Sequence, residues 1–222
     1  MRNEVNSCKA GEKLIFQCLN LSIFQSFLVM QLFITMYKKK VNTVTIESAE
    51  ILSQVRKVMR ANIGDILRIQ DSINEAEKTR YEVRIDNWND KELQGTILSE
   101  THHHVNPGNV TMIIAMPNKR DKAELIVQKL SEIGIDEIIF RPTERSVIKE
   151  WSEKKEERLQ KISKEAVEQS RGWKIPEISF ATDIQEYINN KDIIIFDKKE
   201  QESSPENIEK SEKNSIGIVG PE

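Results

Sequence analysis

Cysteine is scarce in this chain, and its placement argues against two classes of protein. Cys8 and Cys18 are the only cysteines among 222 residues, and both lie close to the amino terminus. They show neither a Cys-x-x-Cys motif nor the Cys/His spacing of a zinc site, and one pair cannot form a disulfide framework. The sequence therefore predicts a protein of the reducing cytoplasm that binds no metal.

Long hydrophobic runs are also missing, which argues against a membrane protein. Residues 14–28 are mostly apolar and follow three basic residues, as in a signal peptide. Five polar residues interrupt this run, however, and no small-x-small cleavage site follows it. We therefore expect no membrane partner. We also expect the native chain to begin at Met30, so that residues 1–29 are a doubtful extension.

Several familiar catalytic motifs are absent as well. The sequence has no Gly-x-Ser-x-Gly elbow, no Walker-type loop and no His-Glu-x-x-His motif, which argues against an unrelated hydrolase or nucleotide enzyme. Three histidines occur together at 102–104, but consecutive side chains point in different directions, so we predict no metal there. We assign residues 101–109 to a linker. The net charge of −3 is too small to indicate a partner.

Between residues 30 and 100 the sequence is rich in short strand patterns. Partly alternating apolar runs, separated by turn-forming or charged residues, occupy 31–36, 41–46, 66–70, 79–85 and 93–98. Strands at such spacing predict a small β-barrel.

One helix interrupts these strands. Ser48 is placed to cap its amino end, and its predicted buried stripe consists of Ile51, Val55, Val58 and Met59. The opposite face carries Arg56, Lys57 and Arg60. These cations have two interpretations, a solvated helix face or a nucleic-acid contact.

From residue 110 onward, strands and helices alternate. Residues 110–116 are apolar on both faces, which is typical of a central parallel strand. The next helix has a predicted capping box at Asp121 and Glu124 and a left-handed stop at Gly134. Its predicted buried stripe is Leu125, Ile126, Leu130 and Ile133. A strand over 135–140 completes a βαβ unit, so a parallel sheet is expected.

Further elements of the same kind follow. A long helix is predicted from Ser152, with a buried side formed by Leu159, Ile162, Ala166 and Val167. Strands are predicted at 176–180, 192–197 and 215–219, a short helix at 183–190, and a charged loop at 198–214.

Two polar clusters stand out in this part of the chain. Residues 141–146 follow a strand of the predicted parallel sheet, where ligands bind in such sheets; the cluster comprises Arg141, Glu144, Arg145 and Ser146. Residues 169–174 combine an amide, a hydroxyl, two cations and an indole at a helix end, a set able to contact phosphates and stack a base. Trp173 is equally well explained as a packing residue.

Several blocks of the sequence resemble one protein family when taken in order. The blocks are QVRKVMRANIGDILRI (54–69), KAELIVQKLSEIGID (122–136), PTERSVIK (142–149), RLQKISKEAVEQS (158–170), KIPEI (174–178) and IVGPE (218–222). They are similar to the bacterial 16S rRNA uridine N3-methyltransferases (RsmE type) of the SPOUT superfamily. The resemblance covers nearly everything from Met30 onward.

This resemblance implies an α/β fold and an activity. A PUA-like small β-barrel that binds RNA (30–100) is expected before a SPOUT-type parallel-sheet domain (110–222). The implied reaction is S-adenosylmethionine-dependent methylation of N3 of a uridine in 16S rRNA of the small ribosomal subunit, by a cytoplasmic homodimer. The family continues beyond the position of Glu222, so we expect the carboxyl-terminal knot to be missing here. The alternative is an RNA-binding module without catalysis.

The resemblance also implies functional residues. Gly220, Pro221 and Glu222 are expected to begin the methyl-donor loop. The expected RNA contacts are Arg145, Ser146, Gln169, Ser170, Arg171, Lys174, Arg56 and Arg60. N3 of uracil is weakly acidic and reacts as its anion, which a nearby arginine would favour; Arg145 and Arg171 are the candidates. The family commonly has Gly-Arg where this chain has Arg171-Gly172, which leaves the identity of that cation open.

Overall fold

The structure is a computed structural model that describes residues 31–71, 77–104, 110–144, 146, 152–188, 192–196 and 215–219. Within these residues the chain divides into two compact units. The first ends at His102 and the second begins at His103, with Glu77 grouped in the second. The predicted extension at 1–29 and the predicted charged loop at 198–214 lie outside the described residues.

The described secondary structure comprises eleven strands, four α-helices and one π-helical turn. The strands are β1 (Leu32–Ile34), β2 (Lys38–Lys40), β3 (Thr43–Ile46), β4 (Ile66–Gln70), β5 (Glu77–Trp88), β6 (Leu93–His104), β7 (Val110–Ala115), β8 (Glu137–Arg141), β9 (Glu177–Phe180), β10 (Asp192–Phe196) and β11 (Ser215–Val219). The helices are α1 (Ala49–Ser53), α2 (Arg120–Ile133), α3 (Glu153–Ser170) and α4 (Gln185–Ile188), and the π-helical turn is Gln54–Val58.

In the first unit, six strands form one sheet in the order β1-β4-β5-β6-β3-β2. The predicted closed barrel is not confirmed, because the described end strands β1 and β2 are not paired with each other. Strand β2 consists of Lys38, Lys39 and Lys40, and all three are exposed. A short edge strand of lysines resists further pairing, since charged side chains oppose the approach of another strand. Its partner in the sheet is β3, which pairs antiparallel with it.

The helix of the first unit begins as predicted but continues differently. Ser48 caps it, accepting a hydrogen bond from Ile51 N at 3.4 Å. The predicted buried stripe is wrong at Val58, which is 73% exposed. The reason is the π-helical turn, in which Met59 N bonds to Gln54 O at 3.0 Å. This wider turn rotates Val58 towards solvent and turns Met59 into the core.

Arg60, directly after this turn, has a left-handed backbone with φ of 51°. This conformation costs a residue with a side chain roughly 1–2 kcal/mol, whereas glycine adopts it freely. We expect Arg60→Gly to raise the free energy of unfolding by up to about 1 kcal/mol, after the entropy that glycine loses on folding. The matched change Lys57→Gly, inside the helical segment, should lower it by about the same amount. Urea denaturation measures the free energy of unfolding of both variants. If Arg60→Gly is less stable than the wild type, the backbone at Arg60 is not strained.

The second unit is built on five parallel strands in the order β10-β11-β7-β8-β9. The predicted parallel sheet with β7 at its centre is therefore confirmed. Apolar side chains of β7 alternate between the two faces, as Ile114 packs with Val127 and Phe140 while Ile113 packs with Ile139. Helices α2 and α3 cover the first face, and residues around α4 cover the second. Both faces of the central strands β7 and β8 are thus buried.

Helix α2 differs from its prediction at two points, although Gly134 ends it in the left-handed conformation as expected (φ 84°). The capping box is wrong: the cap position is Lys119, and no side chain bonds to the helix start there. The predicted stripe is only partly buried, since Leu125 and Ile133 are exposed. Smaller residues take the buried positions, and Ser131 Oγ bonds to Ser163 Oγ of α3 at 2.8 Å. Small side chains there let the two helices approach closely.

The linker prediction needs one correction. Residues 101–104 belong to β6, because this strand is much longer than its apolar run suggested. Thr79 Oγ1 and His102 Nδ1 lie 3.0 Å apart across β5 and β6. The rest of the predicted linker, 105–109, lies outside the described residues.

Candidate functional site

The carboxyl ends of the parallel strands form the edge at which ligands bind in sheets of this kind. From β7 the chain proceeds outwards to β8 and β9, whereas β11 and β10 lie on the other side of β7. β7 and β11 are thus hydrogen-bonded neighbours, and their carboxyl ends lie side by side at this edge. Val219, the last residue of β11, is paired with Ile114 near the end of β7. Gly220, Pro221 and Glu222 follow Val219 directly, but they lie outside the described residues.

The loop after β8 is anchored to the end of β7 by Ser146. This serine is 6% exposed, and its Oγ accepts a hydrogen bond from Thr143 N at 3.0 Å. The same hydroxyl donates to Met116 O at 3.4 Å, and Met116 directly follows β7. Ser146 therefore holds this loop beside the carboxyl end of β7, which fits a positioning role better than a direct ligand contact. Its neighbour Arg145 lies outside the described residues.

Arg141, at the end of β8, carries an unused donor at the same edge. Its Nε is buried and has no hydrogen-bond partner among the described residues. Its backbone is tied to the neighbouring strand end, since Met116 N donates to Arg141 O at 2.8 Å. A buried unpaired N–H is costly to a fold.

The second predicted cluster, residues 169–174, lies at the opposite edge of the sheet. Helix α3 runs for 18 residues, about 27 Å, back towards the strand starts. Lys174 Nζ bonds to Asp136 Oδ1 at 3.0 Å, and Asp136 Oδ2 accepts from Val110 N at 2.9 Å. Val110 begins β7, so Lys174 fastens this turn to the amino edge. The structure does not bring this cluster together with Ser146.

Within that cluster the side chains differ in their exposure and contacts. Gln169 and Ser170 are exposed at the end of α3. Arg171 has the left-handed conformation that ends the helix (φ 58°), a position usually taken by glycine. The half-buried Trp173 stacks on His103, with ring centroids 4.7 Å apart and planes 12° apart. The indole is therefore used in packing in this structure.

In the first unit, Arg56 and Arg60 have different surroundings. Arg56 Nη1 bonds to Asp90 Oδ1 at 2.7 Å, and its guanidinium lies 5.5 Å from the centre of the Trp88 ring. The Arg56 side chain thus already has an acidic and an aromatic partner within the first unit. Arg60 is exposed.

Two arginines and one glutamate join α2 to α3 beside the carboxyl edge. Glu124 accepts bonds from Arg158 at 2.6 and 2.9 Å and from Arg120 at 2.8 Å. The bonds from Arg158, and then those from Arg120, lower the pKa of Glu124 below its ordinary value. In turn Glu124 raises the pKa of Arg158. The carboxylate is therefore held in its charged form.

This network predicts an acid-dependent contribution to stability. Because the folded pKa of Glu124 is depressed, its contribution is present above the ordinary value of 4.5 and is lost as the pH falls through the folded pKa. We expect Glu124→Gln to be less stable than the wild type at neutral pH, and the difference to vanish in acid. Urea denaturation at about pH 7 and about pH 3 measures this. Glu157→Gln, an exposed site on α3, is the control; an equal loss in both variants would contradict the role of Glu124.

In the part of the chain that the structure describes, no group of three His, Cys, Asp or Glu side chains could hold a metal ion. Among the same residues, no helix is both long and apolar enough to cross a bilayer.

Comparison with known proteins gives a family and a fold. A family model described as an RNA methyltransferase domain matches residues 104–222, more than half of the chain. The comparison with curated proteins gives no match.

Three solved structures illustrate the fold. The ribosomal RNA small subunit methyltransferase E of Neisseria gonorrhoeae, bound to S-adenosyl methionine, is 18% identical with a TM-score of 0.69, covering 86% of this chain and 79% of that one. A methyltransferase of Legionella pneumophila, in complex with the same cofactor, is 21% identical with a TM-score of 0.61, covering 85% and 79%. A probable rRNA methyltransferase of Porphyromonas gingivalis is 22% identical with a TM-score of 0.63, covering 79% and 74%. At these identities the likeness shows the fold alone.

Proposed function

The chain belongs to the RNA methyltransferase family whose domain model spans residues 104–222, and we propose that it methylates N3 of a uridine in 16S rRNA of the small ribosomal subunit. The observation that carries this proposal is that the carboxyl ends of β7 and β11 lie side by side, at the edge where parallel sheets of this kind bind ligands. Two structures of the same fold are bound to S-adenosylmethionine, and we propose the same methyl donor here.

The residues at this edge of the sheet fit such a donor. Gly220 follows a buried strand, and a glycine there lets backbone amides approach a ligand closely. The buried, unpaired Nε of Arg141 at the same edge suits a ligand rich in oxygen, as a ribose or a carboxylate is. We propose that Gly220, Pro221 and Glu222 hold the donor. When bound, S-adenosylmethionine supplies an electrophilic methyl group.

For the substrate, we propose Arg145 as the cation that favours the N3 anion of uracil. Ser146 holds the loop of Arg145 beside the end of β7, and arginine stays charged at all working pH values. Arg171 is the weaker candidate, because it lies at the far end of α3. We propose that Arg171, Gln169, Ser170 and Lys174 contact RNA further from the reacting base.

We propose that the first unit binds RNA. Its exposed Arg60, together with Arg56, is proposed to contact the RNA backbone. We also propose that its sheet closes into a PUA-like barrel. We further propose a homodimer, which light scattering in solution would test.

Calorimetric titration with S-adenosylmethionine separates this function from its alternative. An RNA methyltransferase should bind the donor, and Gly220→Val should abolish that binding while the melting temperature stays unchanged. A protein that binds RNA but shows no heat with S-adenosylmethionine would support the RNA-binding module without catalysis.

A further inference from the structure

The stacked pair of His103 and Trp173 in the second unit leaves one ring face towards solvent. The two rings lie nearly parallel, with planes 12° apart and centroids 4.7 Å apart, which is the offset stacking that aromatic rings prefer. Trp173 is half-buried, whereas His103 is exposed although the indole covers one face of its imidazole. The other face of the imidazole is therefore open, and a third flat ring can stack there.

The turn that carries Trp173 is fixed at both ends. Before the indole, Gly172 N donates a hydrogen bond to Val167 O at 2.9 Å. A Cβ at Gly172 would lie 3.1 Å from Val167 Cγ1, so this turn is packed tightly against α3. After the indole, Lys174 Nζ donates to Asp136 Oδ1 at 3.0 Å. The stack is thus formed before a ligand arrives, and a ring that binds to it orders little of the protein.

The charges beside the stack distinguish it from a phosphate site. Lys174 and Asp136 form an ion pair with each other. Next to this pair lie Arg171, Glu137 and Glu177, one cation against two carboxylates. Phosphate contacts need an excess of cations, which these residues do not provide. The contact that this surface offers is therefore stacking, which needs no charge on the ligand.

We propose that an unpaired base of the RNA substrate stacks on the open face of His103, a proposal that rests on the proposed function. Bases of single-stranded RNA stack on aromatic side chains, histidine included. The stack lies near the amino edge of the sheet, where Lys174 and Asp136 fasten the turn to Val110. The proposed methyl transfer takes place at the carboxyl edge. The stacked base is therefore a different nucleotide from the target uridine, and it contributes to RNA affinity.

Stacking of this kind selects unpaired bases and reads little sequence. Every base presents a flat face, so the contact tolerates different sequences. In a duplex those faces are already covered by the neighbouring base pairs. The contribution of His103 should therefore be present with a single strand and absent with a duplex.

The test is RNA binding by the variants His103→Ala and His103→Phe. The probe is a fluorescent oligoadenylate of about 20 nucleotides, followed by anisotropy at increasing KCl. Loss of the ring in His103→Ala should weaken binding by about 5- to 100-fold. The slope of log affinity against log salt should stay unchanged, because no phosphate contact is lost. His103→Phe keeps a flat ring and should bind nearly as well as the wild type.

His104→Ala is the control, because this exposed neighbour on β6 points to the opposite face of the strand. It should bind like the wild type, and a duplex should not distinguish His103→Ala from the wild type. If both alanine variants weaken binding equally, or if His103→Phe binds as weakly as His103→Ala, the stacking site is overturned. A wild-type protein that does not bind the oligoadenylate would also overturn it.

Methyl transfer to rRNA, measured in parallel, separates this proposal from the proposed function. His103→Ala should raise KM for the RNA and leave kcat unchanged, since the stacked base lies away from the reacting one. A lower kcat with an unchanged KM would overturn that placement. The expected loss of oligoadenylate affinity in a protein that transfers no methyl group would support the stacking site and contradict the proposed function.

Discussion

Replacing Arg145 with glutamine is expected to lower kcat for methyl transfer by about 10²–10³-fold, with little change in affinity for S-adenosylmethionine. The reason is the substrate, since N3 of uracil must lose its proton before it can attack the methyl group. A fixed cation stabilises the resulting anion, and glutamine offers a hydrogen bond without the charge. The rate of the variant should therefore keep rising with pH where the wild-type rate has become level.

Ser146→Ala is the matched variant for this experiment. It keeps the charge of Arg145 and removes the hydroxyl that binds Thr143 and Met116. Misplacement of the loop should lower kcat by about 10-fold, and the pH profile should keep its wild-type form. If Arg145→Gln leaves kcat unchanged, Arg145 is not the cation that stabilises the N3 anion.

Phe140→Ala is expected to lower the free energy of unfolding by about 3–5 kcal/mol, the largest stability effect that we predict. Phe140 is fully buried between the sheet and helices α2 and α3, in one cluster with Val127 and Leu159. Truncation leaves a cavity that these neighbours fill only in part. Total stabilities of about 5–15 kcal/mol are usual, so this loss is a large fraction of the whole.

Phe196→Ala is the control, because it makes the same chemical change at a side chain that is 54% exposed on β10. Its expected cost is about 1 kcal/mol or less. Urea denaturation of both variants gives the comparison. Equal losses would show that the packing around Phe140 is not the main support of the second unit.

The parallel sheet could be predicted from the sequence because its signals are local. Residues 110–116 are apolar on both faces, and Gly134 marks the end of the helix that follows. Side-chain periodicity does not predict correctly which residues are buried where the backbone departs from the ordinary α-helix. Nothing in residues 54–58 indicates a π-helical turn, and this turn exposes Val58. The burial of α2 was predicted only in part because its partner α3 comes much later in the chain.

The candidate site was predictable to a similar degree. Sequence placed residues 141–146 at the carboxyl edge, since a strand precedes them, and Ser146 lies there. The family resemblance also implied RNA contacts in residues 169–174, but α3 carries these residues to the opposite edge.

The most direct test of the proposed function is nucleoside analysis of the product. Unmodified small-subunit rRNA is incubated with the protein and S-adenosylmethionine, digested to nucleosides and examined by chromatography with mass spectrometry. Methylation at N3 predicts 3-methyluridine from a single site in the RNA, absent when the donor is omitted. A methylated uridine of equal mass but with the methyl group on the ribose or on C5 would contradict the account, as would rRNA that gains no methyl group.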